Sequence, residues 1–281
     1  MVNKAFFEIT NACNLNCSFC PGTKRDIRFV TPDEFLTGAK KLRSFADYLY
    51  FHLMGEPLLH PELEKLFEIA NNLGFKVILT TNGTLLQKKK DILLSAKALF
   101  KVSISLHCYE ANNIGIPLEN YLYSCFDFCK EASANGIISV LRLWNLGGEE
   151  KMNSMIISKM HTAFDENENS NWKEIYSGYK IKEKLFLEWG ERFEWPDAEG
   201  EYKGNEHSCY GLRDQIGILS NGTVVPCCLD AEGSINLGNI FKSSLEEILS
   251  SKRAEDLKRS FEQKKVCEPL CQRCGYSLRY K

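Results

Sequence analysis

The feature that most constrains the fold is a regular alternation of strand-like and helix-like segments before residue 190. The clearest helix start is at Pro32, where Thr31 is the N-cap and Glu34 completes a capping box. Six alternations predict parallel βαβ units with right-handed crossovers, in either an open doubly wound sheet or a partial barrel. The predicted strands are Ala5–Thr10, Tyr48–Leu53, Phe75–Thr81, Lys101–Leu106, Ile137–Leu143 and Lys184–Glu188, and the later helices are Pro61–Leu73, Leu85–Ala98, Leu118–Asn135 and Lys151–Asp165.

A change in composition divides the chain. Residues 191–206 are acidic, contain Pro and Gly, and have few aliphatic side chains, which is typical of a linker. We therefore predict a core domain over residues 1–190, a linker over 191–206 and a small α+β domain over 207–281.

The small domain begins with a predicted β-hairpin over Gln215–Pro226. Asn221-Gly222 lies between its two strands, which predicts a type I′ turn. Ser244 and Glu247 form a second capping box at the start of an amphipathic helix.

Charge and hydropathy predict which partners and which cellular compartment suit the chain. The formal net charge is −2, so the chain lacks the basic surface that a long nucleic acid requires. No secretory h-region and no run of about 18 apolar residues is present, so we expect a cytoplasmic protein with no membrane partner.

The 12 cysteines indicate metal ligands or catalytic thiols, since disulfides are rare in the cytoplasm. Three of them form the pattern Cys13-x3-Cys17-x2-Cys20 directly after the first predicted strand. A [4Fe–4S] cluster usually takes four cysteines, so three leave one iron open for chemistry. A structural zinc site is the alternative. Cys125 and Cys129, four apart on a predicted helix, should pack as small apolar side chains.

This motif resembles that of the radical S-adenosylmethionine (SAM) superfamily, whose pattern is Cys-x3-Cys-x-aromatic-Cys and whose aromatic residue corresponds to Phe19. The resemblance implies that SAM binds the open iron and is cleaved to methionine and a 5′-deoxyadenosyl radical, which abstracts a hydrogen atom. It also implies a partial (β/α)6 barrel. The segment Met54-Gly55-Glu56 resembles the family's Gly-Gly-Glu motif for the SAM amino group, with Met54 as a departure.

Polar residues at the ends of later strands are further candidates. By the same resemblance, Asn82, Ser105, Arg142 and Asn145 are expected to bind the ribose and carboxylate of SAM; Asn82 is equally explained as part of a Thr-Asn-Gly turn. The candidates for substrate contact are His107, Glu188, Trp189, Glu191 and Trp195.

The C-terminal cysteines resemble the SPASM and shorter twitch extensions of the same superfamily. Cys209-x12-Gly222-x4-Cys227 matches the SPASM signature, and a Cys-x2-Cys pair follows. The resemblance implies an auxiliary [4Fe–4S] cluster, for which a zinc knuckle is the alternative. The expected ligands are Cys209, Cys227, Cys271 and Cys274, with Cys228 and Cys267 as spare or substitute ligands.

Three functions follow as hypotheses. The first is an enzyme for a small polar substrate, with a flavodoxin or ferredoxin as electron donor; the chain is similar in layout to the queuine lyases, which release a 7-deazaguanine base, and to twitch-type cyclitol dehydrogenases and epimerases. The second is a peptide maturase. The third is a zinc-binding protein without enzymatic activity.

Overall fold

The computed structural model describes residues 4–112, 114–165 and 172–280. Its strands are β1 Lys4–Phe7, β2 Tyr48–Tyr50, β3 Lys76–Thr81, β4 Leu99–Ser105, β5 Ile138–Leu146, β6 Lys173–Ile175, β7 Gly178–Lys182, β8 Leu185–Glu191, β9 Gln215–Ile218, β10 Thr223–Val225 and β11 Gly238–Asn239. Its α-helices are α1 Pro32–Leu42, α2 Leu63–Asn72, α3 Leu86–Ser95, α4 Leu118–Ala134, α5 Asn153–Phe164, α6 Leu245–Leu249 and α7 Lys252–Glu262.

The chain divides into two compact units. The first contains Met1–Cys13, Pro21–Val77 and Phe193–Lys281, and the second contains Asn14–Cys20 and Ile78–Arg192. Each unit thus combines segments that are distant in sequence.

The first unit contains the strand order β11-β10-β9-β1-β2. Strand β1 is parallel to both β2 and β9, and Ala5 pairs with Leu49 on one side and with Ile216 on the other. Strand β10 is antiparallel to β9 and β11. The predicted C-terminal hairpin is therefore present, and it continues the sheet that the N-terminal strand begins.

The turn of this hairpin differs from the prediction. Gly222 has the positive φ of 84°, but Asn221 lacks the second positive φ that a type I′ turn requires. Gly222 N donates to Leu219 O at 2.8 Å, and Thr223 N donates to the Asn221 side chain at 3.0 Å. These bonds favour a three-residue loop that ends in a left-handed glycine, so the type I′ prediction was wrong.

The second unit contains the order β3-β4-β5-β8-β7-β6, with β3 entering it at Ile78. Strands β4, β5 and β8 are parallel, as the alternating pattern predicted. Strands β6 and β7 were not predicted from the sequence; β7 is antiparallel to both β6 and β8. Strand β6 is the mostly exposed edge strand, and β7 alternates Tyr179 and Ile181 with lysines, so neither strand is a continuous apolar run.

Helix α1 shows how sequence fixes packing in the first unit. Both bonds of the Thr31–Glu34 capping box are present, as predicted. The buried face of the helix includes Phe35, whose ring lies 5.0 Å from that of Phe7 in β1. The capping box at Ser244 and Glu247 is also confirmed. Among the described residues, no helix has the length and apolar character needed to cross a bilayer.

Candidate active site

The N-terminal cysteine motif lies in the loop between β1 and α1. The loop turns tightly between its second and third cysteines, because Cys20 N donates to Cys17 O at 3.0 Å. Cys13 is exposed, whereas Cys17 and Cys20 are half-buried. This combination of thiols in an accessible loop suits the donor chemistry of an iron–sulfur cluster.

Polar side chains of the second unit hold this loop in place. The amide of Asn82, at the end of β3, donates to Asn14 Oδ1 at 2.9 Å, and Asn14 donates to Thr84 Oγ1 at 2.9 Å. The side-chain oxygen of Asn82 accepts from Thr84. Asn82, predicted to contact SAM, therefore also positions the cysteine loop, and its role toward SAM stays a prediction.

The Met54-Gly55-Glu56 segment lies at the end of the short run that follows β2. Gly55 has a φ of 78°, and a Cβ atom at this position would lie 2.5 Å from Thr10 O. Glu56 is buried; its N–H donates to Ala12 O at 2.7 Å, and its Oε1 accepts from Leu58 N at 3.0 Å. The predicted carboxylate ligand of SAM is thus held rigidly by the backbone around it.

A buried ion pair that the sequence analysis missed supports the same segment. Glu8 is fully buried and forms two hydrogen bonds of 2.8 Å with the guanidinium of Arg25. The carboxylate also accepts from Met54 N at 3.2 Å and from Ser220 N at 3.0 Å. Because all these donors satisfy the charge, the pair can be stable in the interior. The sequence feature that could have indicated this buried ion pair was a glutamate within the apolar run FFEIT.

A pocket in the second unit brings together several residues of the predicted site. Phe19 and His107 line it, with ring centroids 4.9 Å apart, and Asn145 lies beside them. Trp144, which was not predicted, also lines the pocket; its Nε1 is buried and has no hydrogen-bond partner among the residues that the structure describes. The aromatic lining of this pocket suits stacking against a planar ring.

The pocket also has a polar rim. Ser18 Oγ donates to Glu149 Oε2 at 2.8 Å, and both residues line the pocket. Asn145 is fixed by bonds to Asn153 of 3.0 and 3.1 Å. Neither Ser18 nor Glu149 was singled out from the sequence, although Ser18 lies inside the cysteine motif.

A cluster of three charged side chains lies on three neighbouring strands of this unit. Glu188 on β8 lies 3.3 Å from Lys101 on β4 and 3.3 Å from Arg142 on β5. These side chains are only 18–24% exposed. The Arg142 guanidinium also lies 4.1 Å from the centroid of the Trp144 ring. The structure therefore brings two predicted residues, Arg142 and Glu188, into one network.

The remaining candidates lie at the ends of strands (Ser105 and Glu191), inside β8 (Trp189) or in the irregular segment after β8 (Trp195). Ser105 is the last residue of β4 and pairs with Arg142. Glu191 is the last residue of β8, and Trp189 N donates to Ser177 O at 2.8 Å. Trp195 lies 5.4 Å from Phe193, between ring centroids, in the first unit. None of these four residues lines the pocket around Phe19, and their roles stay predictions.

His107 is held in its neutral form. Burial, with a smaller contribution from the positive charge of Arg142, lowers its pKa from 6.5 to about 4. Its Nδ1 lies 3.2 Å from Arg142 O and 3.3 Å from Trp144 N. A neutral imidazole in this pocket can exchange hydrogen bonds with a ligand without adding charge.

The stability of the protein should therefore depend on pH through His107. Between about pH 6.5 and 4 the unfolded chain binds a proton at this position and the folded chain does not, so acid favours unfolding. We expect protonation of His107 in the unfolded chain to lower the free energy of unfolding by about 2 kcal/mol between pH 7 and pH 5. In His107→Asn this contribution should be absent, so the variant should lose less stability over the same pH range. Denaturant unfolding of both proteins at the two pH values measures it; identical losses would contradict the prediction.

The four predicted auxiliary ligands line a single pocket in the first unit: Cys209, Cys227, Cys271 and Cys274. Cys228 is half-buried and close to a different partner, with its Sγ 3.7 Å from Gln215 Oε1. Cys267 is exposed, and its Sγ lies 3.6 Å from Ser260 Oγ. The four predicted ligands thus share one pocket, and their assignment, with Cys228 and Cys267 as spare cysteines, stays a prediction.

Desolvation dominates the electrostatics of this pocket. Burial raises the pKa of the Cys228 thiol to about 12 and raises that of Cys227 well above its ordinary value. Thiolates at these positions therefore require a cation such as iron beside them. In the described parts of the chain, no three His, Cys, Asp or Glu side chains are grouped closely enough to hold a single metal ion. The fit to a cluster rests on four thiols around one pocket.

Comparison with known proteins agrees with this chemistry. Residues 7–152 match the Radical SAM superfamily, and residues 209–275 match SPASM, an iron–sulfur cluster-binding domain. The AdoMet-dependent heme synthase of Methanosarcina barkeri is 30% identical over 103 residues, which are 36% of this chain and 30% of that protein. The GTP 3′,8-cyclase of Microcystis aeruginosa is 24% identical over 296 residues, 89% of this chain and 88% of the relative. The match to the heme synthase thus spans only about a third of that protein.

Solved structures share the fold. BtrN in complex with AdoMet and 2-DOIA has a TM-score of 0.55 and 18% identity, covering 98% of this chain and 93% of BtrN. The protein anSMEcpe with AdoMet and the Cp18Cys peptide has a TM-score of 0.63 and 17% identity, covering 100% and 90%. These likenesses confirm the predicted fold class, a partial (β/α)6 α/β fold with a C-terminal extension.

The two matching regions also specify the cofactors. A radical SAM region implies a [4Fe–4S] cluster and SAM, and a SPASM region implies an auxiliary cluster. The superfamily match covers more than half of the 281 residues. The chain is therefore an enzyme that belongs to the radical SAM superfamily and carries a C-terminal SPASM domain.

Proposed function

We propose that this enzyme cleaves SAM reductively and abstracts a hydrogen atom from a carbon of a small polar substrate. In the superfamily, the cluster bound by the residues equivalent to Cys13, Cys17 and Cys20 supplies the electron that releases methionine and the 5′-deoxyadenosyl radical. We assign the pocket around Phe19 and Trp144 to the adenosyl group. A flavodoxin or ferredoxin is the proposed electron donor.

The observation that carries the substrate class is the network of Lys101, Arg142 and Glu188. Two cations surround one carboxylate, so the network has one positive charge in excess. Its side chains are mostly withdrawn from water, which makes an uncompensated charge unfavourable. An anionic group of the substrate would compensate that charge, and hydroxyl or carbonyl oxygens of a neutral polar substrate would accept hydrogen bonds from the two cations.

The identity of the substrate is a finer proposal. The sequence resemblance predicts release of a 7-deazaguanine base, although none of the relatives reported above bears that name. The name of the Microcystis relative points to GTP, and the BtrN complex contains 2-DOIA. We therefore propose queuine, a nucleoside triphosphate and an aminocyclitol as the molecules to compare.

The proposal is tested with the anaerobically reconstituted enzyme, SAM, dithionite and each of these molecules. Formation of 5′-deoxyadenosine, measured by mass spectrometry, should rise sharply with one of them. Transfer of deuterium from that molecule into 5′-deoxyadenosine would prove hydrogen abstraction. Formation that never responds to a small molecule would reject the proposed substrate class.

Lys101→Met should raise the KM for the identified substrate by about tenfold or more, because it removes a partly buried charged contact. Cleavage of SAM in the absence of substrate should stay unchanged. Lys90→Met is the matched control, since Lys90 pairs with Asp127 and Glu131 on α4. Equal KM values in the two variants would contradict the assignment of the network to substrate.

Peptide modification is the second candidate. It is favoured by the likeness to anSMEcpe, which was solved with a bound peptide and of which this chain covers 90%. A response of 5′-deoxyadenosine formation to a cysteine-containing peptide, and to none of the small molecules, would select this candidate.

A further inference from the structure

The side chain of Asn112 makes three contacts, two of which are with the cysteine loop. It follows the short helical turn after β4 and belongs to the second unit, as does Cys17. Its Nδ2 lies 3.0 Å from Cys17 Sγ, and the same group donates to Cys108 O at 2.7 Å. Its Oδ1 accepts from Asn16 N at 2.9 Å. One side chain thus forms hydrogen bonds with both the backbone of the loop and the sulfur of a predicted cluster ligand.

The direction of the Asn112 contacts is chemically informative. The Asn16 N–H requires the amide oxygen as its acceptor, which leaves the NH2 group to face Cys17 and the Cys108 carbonyl. The opposite orientation would place two acceptors, Asn112 Oδ1 and Cys108 O, against each other. The hydrogen-bond network therefore assigns an N–H donor to the Cys17 sulfur.

Hydrogen bonds to cluster sulfurs are one of the means by which a protein sets a reduction potential. A neutral N–H donor stabilises the more negative, reduced state more than the oxidised state, because the sulfur then carries more negative charge. The donor consequently makes it easier for a reductant to deliver the electron that SAM cleavage requires.

We infer that Asn112 is a positioning residue that raises the reduction potential of the radical-generating cluster through its N–H···S contact with Cys17. The inference rests on the proposed role of Cys17 as a cluster ligand. It assigns to Asn112 an electronic role in addition to its anchoring of the loop.

The test is an EPR-monitored redox titration of the reconstituted enzyme, following the signal that changes when SAM is added. Asn112→Leu removes the donor at nearly constant size, and Asn112→Asp keeps the acceptor for Asn16 N–H while removing both N–H donors. Both variants should shift the midpoint potential to more negative values, with the larger shift in Asn112→Asp because it adds a negative charge.

Thr84→Val is the matched control. Thr84 anchors the same loop through Asn14 and Asn82 and has no described contact with a cysteine sulfur. Its variant should leave the midpoint potential unchanged. A wild-type potential in Asn112→Leu, or the same shift in Thr84→Val, would overturn the inference. Loss of the cluster in both Asn112 variants would also overturn it, in favour of a purely structural role.

A second measurement detects the N–H···S contact directly. In enzyme labelled with ¹⁵N in the side-chain amide of asparagine, pulsed EPR of the reduced cluster should detect a coupled ¹⁵N nucleus, and Asn112→Asp should lose it. Absence of the coupling in the wild-type protein overturns the inference. If the wild-type enzyme has no SAM-responsive signal at all, the proposed function itself has failed.

Discussion

Replacement of Cys17 by alanine is expected to abolish cleavage of SAM while the C-terminal cluster stays in place. Two remaining cysteines in the loop cannot hold a stable [4Fe–4S] cluster with a single open iron. The predicted ligands of the second cluster, among them Cys209 and Cys271, lie around a separate pocket and belong to another segment of the chain. The variant should thus retain about half of the iron, and 5′-deoxyadenosine should fall to background.

Cys129→Ala is the matched control for this experiment. Cys129 is fully buried on α4, as expected for a cysteine that packs as a small apolar side chain, and burial raises its pKa to about 12. Its variant should keep the iron of both clusters and the full yield of 5′-deoxyadenosine. Retained cleavage in Cys17→Ala, or loss of half the iron in Cys129→Ala, would contradict the assignment of the N-terminal motif.

Much of this site was accessible from sequence because its signals are local. The cysteine spacing, the Gly55-Glu56 pair and the Thr31 capping box each occupy a few consecutive residues, and local chemistry decides their conformation. The parallel strands were predictable for a similar reason, since buried strands are continuous apolar runs.

The residues that the sequence analysis missed act over long separations. Asn112 contacts Cys17 across 95 positions, and Glu8 accepts from Ser220 across 212. No periodic pattern marks an asparagine as the partner of a distant sulfur. Trp144 was missed because an aromatic residue in a strand is equally typical of a core position. The prediction of a type I′ turn was wrong because the side chain of Asn221 accepts a hydrogen bond that stabilises a different loop.

Gly55→Ala is expected to destabilise the protein by about 2–5 kcal/mol. An alanine in the left-handed region costs about 1–2 kcal/mol. The added methyl group would also lie 2.5 Å from Thr10 O and 2.8 Å from Ala12 O, which are backbone atoms that cannot rotate away. The segment has to shift, and Glu56 moves with it because its N–H bonds to the same Ala12 carbonyl. SAM binding should therefore weaken together with stability.

Gly74→Ala separates backbone strain from the close contact. Gly74 follows α2 and its C-cap residue Leu73, and its φ of 76° is nearly the same as that of Gly55, but a Cβ atom there meets only Arg43 Nε at 3.8 Å. This variant should lose about 1–2 kcal/mol and bind SAM normally. Thermal unfolding and SAM titration of both variants measure the two effects. Equal destabilisation, or normal SAM affinity in Gly55→Ala, would show that the close approach of Gly55 to Thr10 and Ala12 does not shape the SAM site.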